Sequence, residues 1–404
     1  MTGLLELEDA RQRILDAIGP LELERCPLSQ AAGRVVARGI RSPIDLPVFD
    51  NSAMDGYAMK AADLTRACPQ QPVALRVVGR VGAGEVFLGA VPSGCCVRVC
   101  TGSPLPGGTD AVVMQENART DAASPERVSF AEPAERWACV RRRGEDLEQG
   151  AVLLEPGTRL GAGRLVLLAA CGLTDVLVHR RPVLGLIATG SELQTGGRPL
   201  EPGQVYESNR IGLSALAAQA GALPRVYPPV PDTPAATIAV LKQAFDECDV
   251  VATAGGISVG EFDLVKEAFG QFGGRLDFWK VAIKPGKPFA FGRLAGKCLF
   301  GLPGNPVSAL VTFVLLVGPA LNRLEGATQF RPVTGCGVLE ESLANRDERR
   351  HFVRVVIDEQ GKVRSAGMQG SHILSSLARA NGLVDLPPRT TLPTGTSVRV
   401  IRWL

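Results

Sequence analysis

The chain has 404 residues, enough for more than one domain, and its 45% hydrophobic and 21% charged content is that of a soluble globular protein. With 44 basic and 41 acidic residues the net charge is +3, and aromatics make up only 5%, so nothing electrostatic argues for nucleic acid binding. The first thirteen residues carry five charges and no apolar core of signal-peptide length. The apolar run 307–321 is shorter than a membrane span, so a buried core helix, no membrane contact and a cytoplasmic location are expected.

In chain order, residues 4–18 place Leu7, Ile14, Leu15 and Ile18 at helical spacing, and Gly19-Pro20 closes that element. Residues 28–48 read as a second short helix and an extended, Pro-punctuated exit. Asp50 to Ala58 is small and polar, a loop leading into a strand; Asp50 and Asp55 there either hold a metal or cap turns. From 73 to 130 the pattern is β-like and Gly-rich, with strands expected at 75–81, 86–88, 96–100 and 111–114, in a small inserted β domain. Thr101-Gly102 ends one of these strands, as a substrate contact or a plain turn. Residues 119–136 read as a polar connection, Arg141-Arg142-Arg143 as a charged surface, and 161–171 as an apolar helix expected to pair with the N-terminal one.

From Pro182 strand and helix alternate: strand 183–188, helix 208–220, strand 226–230, helix 235–247 and strand 250–254. Alternation of this kind predicts a parallel sheet with helices on both faces, and ligands then sit beyond the carboxyl ends of the strands. Glu192, Asp232, Ser258 and Asp263 all follow predicted strands, which groups them at one end of the sheet.

Between Asp249 and Leu310 two kinds of anion site are written into the sequence. Gly255-Gly256 and the turn Pro285-Gly286 allow backbone N–H groups to converge on a ligand, and Asn305-Pro306 has the form of an N-cap and first residue of a helix. Only eight lysines occur in the chain, and three of them, Lys280, Lys284 and Lys287, fall here. On one strand Lys280 and Lys284 would share a face. They mark either an anion site or a solvated strand edge; the neighbouring turns favour the anion site. The ten cysteines include no CxxC, and the three histidines are not near a Cys cluster, so no zinc site is expected. After Gly326 the pattern is β again, a compact C-terminal β domain with His372 in a turn, structural or a general acid.

The segments GGISVGEFD (255–263), KVAIKPGKPFAFG (280–292), GLPGNPVSA (301–309), DNSAMDGYA (50–58), VVMQE (112–116) and RRRGEDL (141–147) resemble, in order, the signature of the molybdopterin molybdenumtransferase family. The resemblance covers essentially the whole chain. It implies a multidomain α/β and β protein. A central three-layer α/β molybdopterin-binding fold (179–327) would carry an N-terminal mixed domain (1–48 plus 139–178), an inserted β domain (49–138) and a C-terminal β domain (328–404). It implies a homodimer that transfers molybdenum from molybdate to adenylylated molybdopterin, releasing AMP with Mg²⁺ present. Its pathway partners would be the molybdopterin adenylyltransferase and later cofactor-processing proteins.

By motif, the resemblance assigns catalytic roles to Asp55, Asp146, Glu192, Asp232, Asp263, Lys280 and Lys284. Glu192, Asp232 and Asp263 are the implied metal ligands, with Ser191 standing where an acid is often found. Substrate contacts would come from Thr101, Ser258, Lys284, Lys287, Pro303, Pro306, Arg349 and Ser371, with Arg350 as an alternative to Arg349. Two other functions compete. The preceding adenylyltransferase shares the central fold but would not need the flanking domains. A non-catalytic scaffold would not need the five acids.

Overall fold

The computed structural model describes residues 4–121, 124–256, 264–328 and 333–402. They form two compact units. One comprises Met1–Arg38, Pro156–Gly161 and Asp175–Leu404, the other Gly39–Glu155 and Ala162–Thr174.

The centre of the larger unit is a six-stranded sheet in the order Leu223–Val226, Val183–Ala188, Val250–Ala254, Lys297–Leu302, Ala290–Leu294, Arg275–Trp279. The first four strands are parallel; the last two add on antiparallel. The sheet is therefore mixed, a correction to the all-parallel expectation: an apolar run buried on both faces carries no signal of strand direction. Side chains alternate between two cores. Leu184, Leu186, Val250, Ala252, Phe300 and Leu302 face one, and Ile187, Val251 and Leu299 the other. Helices Leu7–Asp16 and Asn209–Gln219 and the apolar helix from Pro306 to Leu324 cover the first core; Pro234–Glu247 and Leu264–Gln271 cover the second. This is a three-layer α/β fold.

The run from Pro306 to Leu324 is long and apolar enough to cross a membrane, but it is 72% buried as the central helix of the first core. Leu7, Ala10 and Ile14 of the N-terminal helix share that core with it. The helix expected at 161–171 forms as Ala162–Ala170 and belongs to the other unit.

The C-terminal part is a β barrel. Arg350–Ile357, Lys362–Ser365, Thr334–Leu339, Ser397–Arg402 and Gly382–Leu386 follow one another around it, and Gly382–Leu386 pairs back onto Arg350–Ile357. One short strand of the central region, Ile283–Lys284, joins this barrel by running parallel to Arg350–His351. That pairing couples the lysine-bearing segment to the C-terminal domain and positions the site.

The smaller unit holds a second six-stranded sheet, in the order Ala111–Met114, Gly56–Met59, Cys95–Val99, Val73–Val81, Ser124–Phe130, Ala118–Asp121. The last two strands replace the polar connection expected at 119–136. Their inward residues Val128 and Phe130 are buried, so the strand was signalled by alternation rather than by a continuous apolar run. No strand forms at 86–88, where Val86 and Leu88 are exposed. Gly56 is obligatory, because a Cβ there would lie 2.1 Å from the Val113 carbonyl oxygen of the neighbouring strand.

Candidate active site

A cavity of about 950 Å³ opens at the carboxyl ends of the parallel strands in the larger unit. Its floor is built from backbone. Gly255 and Gly256 follow strand Val250–Ala254 at φ +93° and +68°, and a Cβ on Gly255 would lie 2.6 Å from the Thr189 carbonyl oxygen. These glycines let the loop pass close to Thr189, at the end of the adjacent strand. Beside them, Pro306 opens the long helix. Asn305 takes the N-cap position in an extended conformation, but its side chain makes no capping hydrogen bond. The first N–H groups of that helix are thus left for a ligand, at the end that favours negative charge.

One wall is acidic. Glu192 and Asp232 line the cavity from the loops after strand Val183–Ala188 and after Val230. Ser191 ties these loops together: its N–H donates to Asp232 Oδ2, and the Asp232 N–H donates to Ser191 Oγ, each at 3.0 Å. Ser191 therefore holds Asp232 in place.

A second group of lining residues is basic. Lys284, Lys287, Arg349 and Ser371 line the cavity, with Gln369 and Gly370. Arg349 donates from Nε and Nη2 to the two oxygens of Asp347, at 3.1 and 3.0 Å, and from Nη1 to the Ile283 carbonyl at 3.4 Å. Lys284 lies 3.6 Å from the same carboxylate. These cations hold Asp347 well below the usual carboxylate range, at about 2, with the Arg349 hydrogen bonds as the main cause. Of the two candidate arginines, Arg349 reaches the cavity. Arg350 is engaged by Glu8 and Asp385 instead.

Lys280 is not in this group. Strand Arg275–Trp279 ends before it, its own φ is +76°, and its ammonium sits 4.0 Å from the centroid of the Trp279 ring. Lys280 thus follows one strand while Lys284 lies on another, and the two do not share a face of a single strand. Pro303 and Pro306 do line the cavity. Ser258 and Asp263 lie outside the described residues.

Asp55, Thr101 and Asp146 belong to the smaller unit. Asp55 Oδ1 accepts from the Thr101 N–H at 2.6 Å and from Thr101 Oγ1 at 2.9 Å. These bonds, the backbone one first, hold its pKa below the ordinary value and keep it ionised. Thr101 is thus built in as the residue that orients Asp55. Asp50 caps a turn by accepting from the Arg143 N–H. Asp146 is exposed.

Sequence reasoning missed several lining residues, among them Tyr206, Glu207, Asn209 and Gln369. Glu207 is buried and accepts from the Arg210 N–H at 2.9 Å and from Arg210 Nε at 2.8 Å. Asn209 donates from Nδ2 to the Gly304 carbonyl at 2.7 Å, which links the start of helix Asn209–Gln219 to the start of the long helix. The polar triplet before an apolar helix was a legible cap signal; nothing in it announced a cavity.

His351, in register with Lys284, is 7% exposed, and its buried Nε2 has no hydrogen-bond partner among the described residues. Burial first, then the nearby cations, lower its pKa from 6.5 to about 4. Between those values the unfolded chain binds a proton that the folded chain does not, so stability falls as pH drops from about 6.5 to about 4 and levels off below. His351→Gln is expected to flatten that part of the curve by on the order of 3 kcal/mol, read from urea midpoints across pH. An unchanged slope would show that His351 does not carry it.

Taken together, the geometry defines an α/β domain with a cleft lined by both acidic and basic side chains, joined to a C-terminal β barrel. Three family models match the chain in order. They are the MoeA N-terminal region (domain I and II) over residues 5–172, a probable molybdopterin binding domain over 185–323, and the MoeA C-terminal region (domain IV) over 337–403. The molybdopterin molybdenumtransferase of Haemophilus influenzae is 39% identical, covering 98% of each chain. Molybdopterin molybdenumtransferase 2 of Mycobacterium tuberculosis is 40% identical, covering 93% of each. Among solved structures, the molybdopterin biosynthesis MoeA protein of Pyrococcus horikoshii superimposes with a TM-score of 0.86 at 31% identity, covering 98% of this chain and 99% of that one. The chain belongs to the molybdopterin molybdenumtransferase family.

Proposed function

We propose that the protein is a molybdopterin molybdenumtransferase of molybdenum cofactor biosynthesis. It takes adenylylated molybdopterin and molybdate, releases AMP, and leaves molybdenum on the dithiolene. The observation that carries this reading is that one cavity is lined both by Glu192 and Asp232 and by Lys284, Lys287 and Arg349. The basic side chains, with Ser371 and the N–H groups of Val307 and Ser308 that follow Pro306 at the start of the long helix, suit a tetrahedral oxyanion. The acidic wall suits a cation that accompanies phosphates.

The residues present fit a magnesium ion. Asp232 spends one oxygen on the Ser191 N–H and keeps the other, and Glu192 is exposed to the cavity. Among the described residues no three acidic, His or Cys side chains gather to hold a metal; Glu192 and Asp232 would supply only part of a coordination shell. Mg²⁺ is commonly held that way, by one or two carboxylates with water and substrate phosphate making up the rest. Asp263 would add a third carboxylate. When bound, the cation would offset the charge of the phosphates at the bond that breaks. The side chains do the remainder. Lys284, Lys287 and Arg349 hold molybdate, and Ser191 fixes Asp232 toward the phosphates. No protein nucleophile is required.

Asp55 and its orienting Thr101 lie on a separate unit from the cavity. We propose that a homodimer brings Asp55 of one subunit to the cavity of the other. Sedimentation at micromolar concentration is expected to show a dimer; a monomer with full activity would sink this. The test of the function is incubation with adenylylated molybdopterin, molybdate and Mg²⁺, measuring AMP and metallated cofactor. Formation of both only when molybdate is present is expected. AMP made without it, or adenylylation of molybdopterin from ATP, would point to another step. The substrate would come from a molybdopterin adenylyltransferase, and the product would pass to later cofactor-processing proteins.

A further inference from the structure

The residues that line the cavity are almost all small, polar, charged or proline. Among the described ones a single aromatic side chain is present, Tyr206. It lies on the two-residue strand Val205–Tyr206, which runs parallel to Leu193–Gln194 directly after Glu192. The Val205 N–H donates to the Glu192 carbonyl at 2.9 Å and the Glu207 N–H to the Gln194 carbonyl at 3.0 Å, so the register between Tyr206 and the acidic wall is fixed by backbone. The phenol donates to the Arg198 carbonyl at 2.9 Å, within the same segment. The ring is therefore held at both ends, yet Tyr206 is 49% exposed and Val205 51%.

That combination needs an explanation. A Tyr whose only job is packing is covered on its faces, and in a chain with three Tyr this one is spent on a cavity wall and left open. A preset, half-exposed ring beside charged groups is what a planar heterocycle carried on a phosphate requires: the charges take the phosphate and the ring takes the π face. We propose that Tyr206 is the stacking platform for the planar nitrogen heterocycle of the substrate. The inference rests on the function proposed above and adds to it a specificity-determining residue. The substrate has two such heterocycles, adenine and pterin, and their chemistry toward the ring is the same.

The experiment is equilibrium binding by calorimetry to the full chain, with Mg²⁺, of three probes: AMP, a phosphate-free pterin and molybdate. Tyr206→Ala is compared with Tyr206→Phe. Stacking on an aromatic side chain predicts that Tyr206→Ala weakens one heterocycle by about five- to 150-fold. Tyr206→Phe should keep the parent affinity and molybdate should be unmoved in both variants. Loss confined to AMP places adenine on the ring; loss confined to the pterin places the pterin there. If parent and Tyr206→Ala bind AMP and pterin equally, the platform is overturned while the proposed function stands. If the parent binds neither heterocycle nor molybdate, both fall. Loss of all three probes together would mean a displaced segment, and would overturn the stacking role.

Discussion

Asp232→Asn is expected to leave the fold intact and to slow AMP release at saturating molybdate on the order of 10²-fold, the scale of losing one electrostatic contact made to a charge that develops in the transition state. The substitution is nearly isosteric. The amide oxygen can still accept from the Ser191 N–H, and the Asp232 N–H bond to Ser191 Oγ involves only backbone on the Asp232 side. What disappears is one negative charge from the acidic wall. If that wall holds Mg²⁺, the variant should need a higher Mg²⁺ concentration for half-maximal rate. It should still bind adenylylated molybdopterin, whose phosphates meet less negative charge. The measurement is AMP release across a Mg²⁺ titration. A variant matching the parent in both rate and metal dependence would remove Asp232 from the site.

The sequence made some of this architecture visible and concealed the rest for physical reasons. Helix starts were legible where chemistry is local: Asn305-Pro306 opens the long helix, as a cap followed by Pro at the first position requires. The three layers were legible from periodicity, because strands 183–188 and 250–254 are buried on both faces. Strand direction at the sheet edge was not, since Ala290–Leu294 and Arg275–Trp279 look the same whichever way they run. The lysine cluster shows the same divide. Its positive charge and its turns were evident, but the placing of Lys284 beside Arg349 depends on Ile283–Lys284 leaving the central region to pair with barrel residues 67 positions away in sequence. Lys280 fell on the wrong side of that break. Tyr206 gave no sign at all, because a single aromatic residue between polar neighbours has no pattern to read.

Lys284→Ala is expected to weaken molybdate binding by roughly 10- to 100-fold while leaving the fold nearly unchanged. Removing one partner of a charge-assisted contact costs about 1.5–3 kcal/mol. The fold survives because the groups around Lys284 remain paired. Its backbone keeps the parallel pairing with Arg350–His351, and Asp347 stays neutralised by two hydrogen bonds from the Arg349 guanidinium. The cavity loses a full positive charge that Asp347 engages only loosely, at 3.6 Å, and that an oxyanion can draw away. Asp347 is thus a competitor for the same cations. Asp347→Asn, which keeps an acceptor for Arg349 but drops the charge, should bind molybdate more tightly than the parent, by several-fold. The opposite signs of the two variants are the discriminating result, measured by molybdate titration at constant ionic strength. If Lys284→Ala leaves the affinity unchanged, Lys284 is a solvated strand residue and the oxyanion is held elsewhere. If Asp347→Asn weakens binding instead, the carboxylate serves to orient Arg349, and its negative charge does not compete with the ligand.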